Sequence, residues 1–281
     1  MRPRRSVLYM PGANERALEK AKTLPADALI LDLEDAVAPD AKAAARERVC
    51  AAVGSYGSRE VTVRVNGLGT PWHADDLRAA GEAGPDAVVV PKVNSAEEVH
   101  AIEKALSHAP DHTAIWAMIE TPVAVLNCAS IAAASDRLTV LVLGTNDLAK
   151  ELTAAQVPGR APLLGPLSTC VLAARATGRV ILDGVYNDVR DLDGFAAECR
   201  QGRDFGFDGK TLIHPGQVEP CNEIFAPSAD EVAHAHRVIE AFEQAQHAGR
   251  GVATVDGRMI ENLHVVDAQR ILALAAAVKG T

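Results

Sequence analysis

Glu120 and Asp147 are carboxylates set at the ends of two apolar runs, AIWAMIETP (114–122) and LTVLVLGTND (138–147). Two hard oxygen ligands on neighbouring runs suit Mg2+, which takes one or two protein carboxylates and fills its other positions with water and substrate oxygens. Other apolar runs also end in polar residues. They supply Tyr9, Asp32 to Asp35, Arg64 with Asn66, Lys92, Asn146, Asp183, Asn187 with Asp188, and Lys210 to His214. The set is acidic, with Arg64 and two lysines among it. Each choice has a plainer account: an acid before Thr121-Pro122 is favoured by the helix dipole, Asp147 could cap the helix starting at Leu148, and Arg64 could neutralise a buried acid.

What would bring these residues together is the order of the elements. Eight short Val/Ile/Leu-rich runs recur: 6–12, 28–35, 61–67, 87–93, 114–122, 138–147, 179–188 and 208–215. They lack the alternation of half-exposed strands, so they read as parallel strands buried on both faces. Segments of helical patterning lie between them. One begins at Ser95 with Glu98 as its capping box, another spans TPVAVLNCASIAAAS, and Gly178 closes a third. Eight strands alternating with helices predict an α/β fold, a (β/α)8 TIM barrel with a C-terminal helical extension, an open doubly wound sheet being the competing arrangement. In such a barrel the site lies at the C-terminal ends of the strands, and Arg64, Glu120 and Asp147 all fall there.

Residues 1–226 are therefore expected to form the catalytic barrel. Residues 227–281 form the extension, expected to pack on a neighbouring subunit. A long helix over 228–248 opens with Ser228 and Glu231 as its capping box, a Gly-rich turn (GRGVATVDG) follows, and a last helix runs over roughly 264–279.

Composition excludes several classes. The chain has 281 residues, 28 basic against 37 acidic, for a net charge of −9, so no broad basic surface for nucleic acid or anionic membrane is expected. The five cysteines form no C-x-x-C pair, which argues against a zinc knuckle or a disulfide framework and for a reducing, cytoplasmic location. His234 and His236, two apart on a helix, face different ways. His214 could hold a loop by hydrogen bonds. Neither a phosphate loop nor a G-x-S-x-G nucleophile is present, and no apolar run reaches the roughly 20 residues of a membrane span.

Six motifs in order, RRSVLYMPGANERALEKA, ALILDLEDAVAPDAK, VTVRVNGLGTPW, AMIETPVAVLN, VLGTNDLAKEL and GFDGKTLIHPGQV, resemble the citrate lyase β subunit-like family of CoA-ester lyases. The resemblance covers nearly the whole chain. It implies an Mg2+-dependent barrel enzyme, usually a homotrimer, that makes or breaks the C–C bond between acetyl-CoA and a small 2-oxo acid. By residue, it places Glu120 and Asp147 on the metal and Arg64 beside the reacting carbonyl oxygens. Tyr9, Arg16, Lys20, Lys42 and Arg46 match positions that contact substrate or CoA phosphates.

That division of labour is physically sound. Cleaving a 3-hydroxyacyl thioester needs a base for the hydroxyl proton and a stabiliser for the departing enolate, and Mg2+ with Arg64 would supply the second. The general acid/base of the resembling malyl-CoA and citramalyl-CoA lyases is an aspartate in a C-terminal G-x-M-I-D stretch, delivered onto the neighbouring barrel. Here the stretch reads GRMIENLHV, with Glu261 in its place. The longer arm matters, because misplacement by about 1 Å costs on the order of a hundredfold in rate. The expected function is therefore a C–C lyase of a malyl-CoA- or citramalyl-CoA-type thioester; a displaced base could activate water at the thioester, which makes a malyl-CoA thioesterase the alternative, and a tail shifted to accommodate the swap is the neutral reading. A further alternative is a citrate lyase β subunit acting on an acyl-carrier-protein thioester within a complex.

Overall fold

The computed structural model describes residues 2–279. Its apolar runs become eight parallel strands: β1 (Ser6–Pro11), β2 (Ala28–Asp32), β3 (Glu60–Arg64), β4 (Ala87–Val90), β5 (Ala114–Ile119), β6 (Leu138–Leu143), β7 (Val180–Asp183) and β8 (Gly209–Leu212). Each pairs with the next, and β8 pairs back to β1, closing the (β/α)8 barrel. The crossovers carry α1 (Glu15–Ala21), α2 (Lys42–Ala52), α3 (His73–Ala83), α4 (Ala96–Ala105), α5 (Pro122–Leu126), α6 (Cys128–Ala133), α7 (Thr145–Glu151), α8 (Leu164–Thr177) and α9 (Leu192–Phe205). α10 (Val218–Phe225) follows the last strand. Alternate strand residues fill the interior, among them Val7, Ile30, Val89, Trp116, Val142 and Leu182, so the barrel is a packed core and only its ends are polar.

Strand register sets the level of the site. Asp32 lies opposite Arg64 across β2 and β3, and Ile119 opposite Leu143 across β5 and β6, so Glu120 and Gly144 leave the sheet side by side.

Two expectations for local structure change. The helix read over TPVAVLNCASIAAAS breaks at Asn127, whose side chain donates to the Asn94 carbonyl at 2.9 Å and ties the break to the β4 loop. Ser95 caps α4 through the Glu98 N–H, but the Glu98 carboxylate accepts from Asn94 N–H, so the box is not reciprocal.

Contacts divide the chain into two compact units, Arg4–Asn222 and a second that begins at Glu223. In the second, α11 (Ala229–His247), opened by the Ser228/Glu231 capping box, and α12 (Asn262–Lys279) pack with a hairpin of β9 (Ala253–Val255) and β10 (Arg258–Ile260). Val238, Phe242, Val255 and Ile260 form its core. The Gly-rich turn thus holds a small sheet. Asp256 and Gly257, both at positive φ (50° and 75°), make the tight turn that an Asp-Gly pair favours. Among the described residues no helix is long and apolar enough to cross a membrane.

Candidate active site

Arg64 at the end of β3 is the hub. Its Nε and Nη2 donate to Asp32 Oδ1 and Oδ2 at 2.6 and 2.7 Å, a bidentate pair, and Nη1 lies 2.9 Å from Glu34 Oε2. The guanidinium sits 4.7 Å from the centroid of the Tyr9 ring. Asp32 also accepts the N–H groups of Glu34 and Ala36, which folds the chain after β2 back over the barrel mouth. Burial pushes the Glu34 carboxyl up to about 7, although Arg64 pulls it the other way. Burial also raises the Tyr9 hydroxyl above its usual range.

Glu120, at the end of β5, is 2% exposed in its side chain. Its Oε1 accepts the Lys92 N–H at 2.8 Å, and burial lifts its carboxyl to about 7, against the opposing pull of Lys92. Asp147, in the first turn of α7, is 31% exposed. The Lys92 ammonium stands 3.9 Å from Glu120 Oε1 and 3.5 Å from Asp147 Oδ1. Lys92 reaches this place from a backbone at φ 53°, a region that costs a non-glycine residue energy and that the surroundings must enforce. A Cβ on Gly144 would collide with Oε2 and Cβ of Glu120, so glycine is what lets β6 leave the barrel beside that carboxylate.

Tyr9, Arg64, Glu120 and Asp147 line one cavity of about 400 Å3, together with Asp32, Met118, Asn146, Asn187 and Thr211. Tyr9, Arg64, Glu120 and Asp147 therefore meet, with strand-end residues from the same set beside them. Arg16, Lys20, Lys42 and Arg46 do not line that cavity. Lys42 is buried, with its ammonium spent on the carbonyls of Leu33 and Glu34 and on Asn66 Oδ1, at 2.9, 2.7 and 2.6 Å. Three acceptors use all three of its donors, and in this arrangement Lys42 holds the loop after β2. Arg46 donates to the buried Asp76 at 2.6 Å, which in turn fixes Asn66. Arg16 and Lys20 are exposed, one turn apart on α1. Glu261 follows β10 in the second unit, half-buried, its N–H donating to His264 Nδ1.

Other strand-end residues serve the framework. Lys210 and Asp183 are fully buried and joined at 2.8 Å, with Glu198 and Arg160 completing an ion cluster beside β7 and β8. His214 caps the turn at Pro215, accepting the Gly216 N–H. Lys92 and Glu34 were visible only as members of the polar strand-end set. Neither left-handed backbone nor proximity to Arg64 has a signal in the residue types.

The residues present fit a hard divalent cation. One cation, the Lys92 ammonium, already lies between the two acids, and both acids offer the hard carboxylate oxygens a divalent ion takes.

A sequence model of the HpcH/HpaI aldolase/citrate lyase family matches residues 5–215. The chain is 53% identical over 278 residues to a (3S)-malyl-CoA thioesterase of Cereibacter sphaeroides, covering 98% of this chain and 96% of that one. It is 38% identical to the citrate lyase subunit beta of Escherichia coli, over 99% and 95% of the two chains. Among solved structures, the protein CitE of Mycobacterium tuberculosis, in complex with magnesium, acetoacetate and coenzyme A, aligns with a TM-score of 0.79 at 31% identity, covering 96% of this chain and 97% of that one.

Proposed function

The chain belongs to the HpcH/HpaI aldolase/citrate lyase family, and from that premise we propose that it hydrolyses the thioester of a small 3-hydroxyacyl-CoA of the malyl type, with Mg2+ as cofactor. What supports the reading is the meeting of Glu120, Asp147 and Arg64 around one cavity, in a chain about half identical, nearly end to end, to thioesterases of malyl-CoA. Enzymatic action is common to its relatives' names, and a CoA ester is named for the thioesterases among them; which bond breaks is the finer question.

In this reading Glu120 and Asp147 hold the metal, which when bound acts as a Lewis acid toward oxygens of the acid half. Arg64, fixed by Asp32 and Glu34, keeps a permanent positive charge at the cavity wall, where negative charge on a carbonyl oxygen is stabilised without reorganisation. The Tyr9 ring lies against the face of that guanidinium. Arg16 and Lys20 are proposed to meet the CoA phosphates from the surface of α1; Arg46, which donates to Asp76, is proposed as a further contact. Glu261 is the proposed base, taking a proton from the water whose oxygen bonds to the thioester carbon while the C–S bond breaks and the thiolate is reprotonated.

The second reading, C–C cleavage to an acyl-CoA and a 2-oxo acid, is favoured by the similarity to citrate lyase β subunits and needs the same metal and arginine. The purified protein with Mg2+ and malyl-CoA, 3-methylmalyl-CoA or citramalyl-CoA, with products analysed by mass, separates the two. Free CoA with the hydroxy diacid is the expected result. Acetyl- or propionyl-CoA with glyoxylate or pyruvate makes the chain a lyase, and no turnover overturns both in favour of a carrier-protein thioester. Glu120→Ala and Asp147→Ala should each abolish Mg2+-dependent turnover with the fold intact; near-normal activity in either removes it from the metal.

A further inference from the structure

A second cavity, of about 470 Å3, lies beside the first, and Thr145, Asn146, Val185 and Asn187 line both. Asn146 and Asn187 face each other there. Asn146 Nδ2 donates to Asn187 Oδ1 at 3.0 Å and Asn187 Nδ2 donates to Asn146 Oδ1 at 2.7 Å, a reciprocal amide pair joining the start of α7 to the chain after β7. Both side chains are exposed, so water competes for their bonds and the pair is held only by about 1 kcal/mol per bond.

The wall's position decides what it would govern. Asn146 immediately precedes Asp147, so the partition stands at the metal end of the catalytic cavity, where the acid half of the substrate is proposed to bind. Beyond it the lining includes Ala149, Val157 and Leu163 beside Asp188 and Asp191, while its Arg160 pairs with Asp183 and Glu198 and keeps one buried nitrogen, Nη2, without a hydrogen-bond partner. Its apolar part, Ala149, Val157 and Leu163, is chemically able to take a short alkyl group.

We propose that the Asn146–Asn187 pair is a specificity-determining wall, which restricts the acid half to malate-sized diacids by closing off the second cavity. The inference rests on the proposed function for the identity of the acid. Excluding an extra methylene by such a wall is worth about tenfold or more in discrimination. Removing either amide joins the two cavities, and 3-alkyl malates with two or three added carbons then bind nearly as well as malate.

The test is calorimetric binding of malate, 3-methylmalate and 3-propylmalate, each with saturating Mg2+, to wild type, Asn187→Ala and Asn187→Gln. Wild type should lose about tenfold or more in affinity from malate to 3-propylmalate, and Asn187→Ala less than about threefold. Asn187→Gln keeps an amide opposite Asn146 and should follow wild type. The same size dependence in wild type and Asn187→Ala overturns the wall, as does a Gln variant as permissive as Ala. Asn146→Ala opens the partition from its other side if Asn187→Ala does not fold. Failure of every protein to bind any of the diacids overturns the acid site itself, an outcome distinct from unchanged selectivity.

Discussion

Glu34 shows how one buried carboxyl at the barrel mouth links stability to pH. Its side chain is 13% exposed, beside Arg64, and burial still holds its carboxyl near 7 against an ordinary value of 4.5. Between those two values the folded chain keeps the proton and the unfolded chain has lost it, so stability falls as pH rises from about 4.5 to about 7 and the loss is complete above that. Glu34→Gln removes this dependence. The variant should match wild type in urea unfolding near pH 4.5 and exceed it at pH 8, by on the order of 3 kcal/mol at most; an equal difference at both pH values contradicts the account. Residues of this kind mark the limit of what the sequence discloses. Tyr9, Arg64, Glu120 and Asp147 were legible because a barrel gathers the residues that end its strands, whatever their partners. Glu34 sat in the same set without a role, because its raised proton affinity depends on which neighbour covers it. Lys92 escaped because the sign of φ at one residue carries its ammonium to the acids.

The elements were more legible than their junctions. Eight apolar runs, too continuous for half-exposed strands, specify a closed parallel sheet, and each appears where it was read. The readings that changed sit at junctions: Asn127 splitting a helix through its bond to Asn94, Glu98 accepting from Asn94 and not from Ser95, and Asp256-Gly257 at positive φ making a hairpin of the Gly-rich turn. Gly144 is the junction with the most direct bearing on the site, since β6 can pass Glu120 only where no Cβ intervenes. Gly144→Ala leaves φ and ψ allowed, at −97° and 74°, so its effect is purely one of space. The collision includes the Glu120 Cβ, which no rotamer change relieves, and the carboxylate must shift with its strand. The expected result is a loss of about 1–3 kcal/mol in stability and on the order of a hundredfold in turnover. Unfolding in urea and initial rates check both together. A variant within threefold of wild type on turnover would mean that Glu120 tolerates displacement and does not hold the metal as proposed.

At the scale of the whole molecule, the barrel unit carries both proposed metal ligands and the fixed arginine, whereas the proposed base, Glu261, belongs to the second unit, which has its own core. If Glu261 is the base as proposed, it could serve the barrel of its own chain or that of a neighbour, and the two arrangements differ in what mixing does. Glu120→Gln lacks a working barrel but keeps a working tail; Glu261→Gln has the converse defect. If the extension serves a neighbouring subunit in a closed oligomer, equal amounts of the two variants, unfolded and refolded together, form sites that pair an intact barrel with an intact tail, about a quarter of all sites for random association. Activity should then rise from near zero for either variant alone to about a quarter of wild type. If each tail serves its own barrel, no mixture contains an intact site and activity stays at the level of the single variants. The result also bears on hydrolysis against C–C cleavage, because Glu261→Asp shortens the arm in place. In the complementing oligomer that variant should move the ratio of free CoA to acyl-CoA products toward cleavage, and an unchanged ratio would separate the glutamate from the choice of reaction.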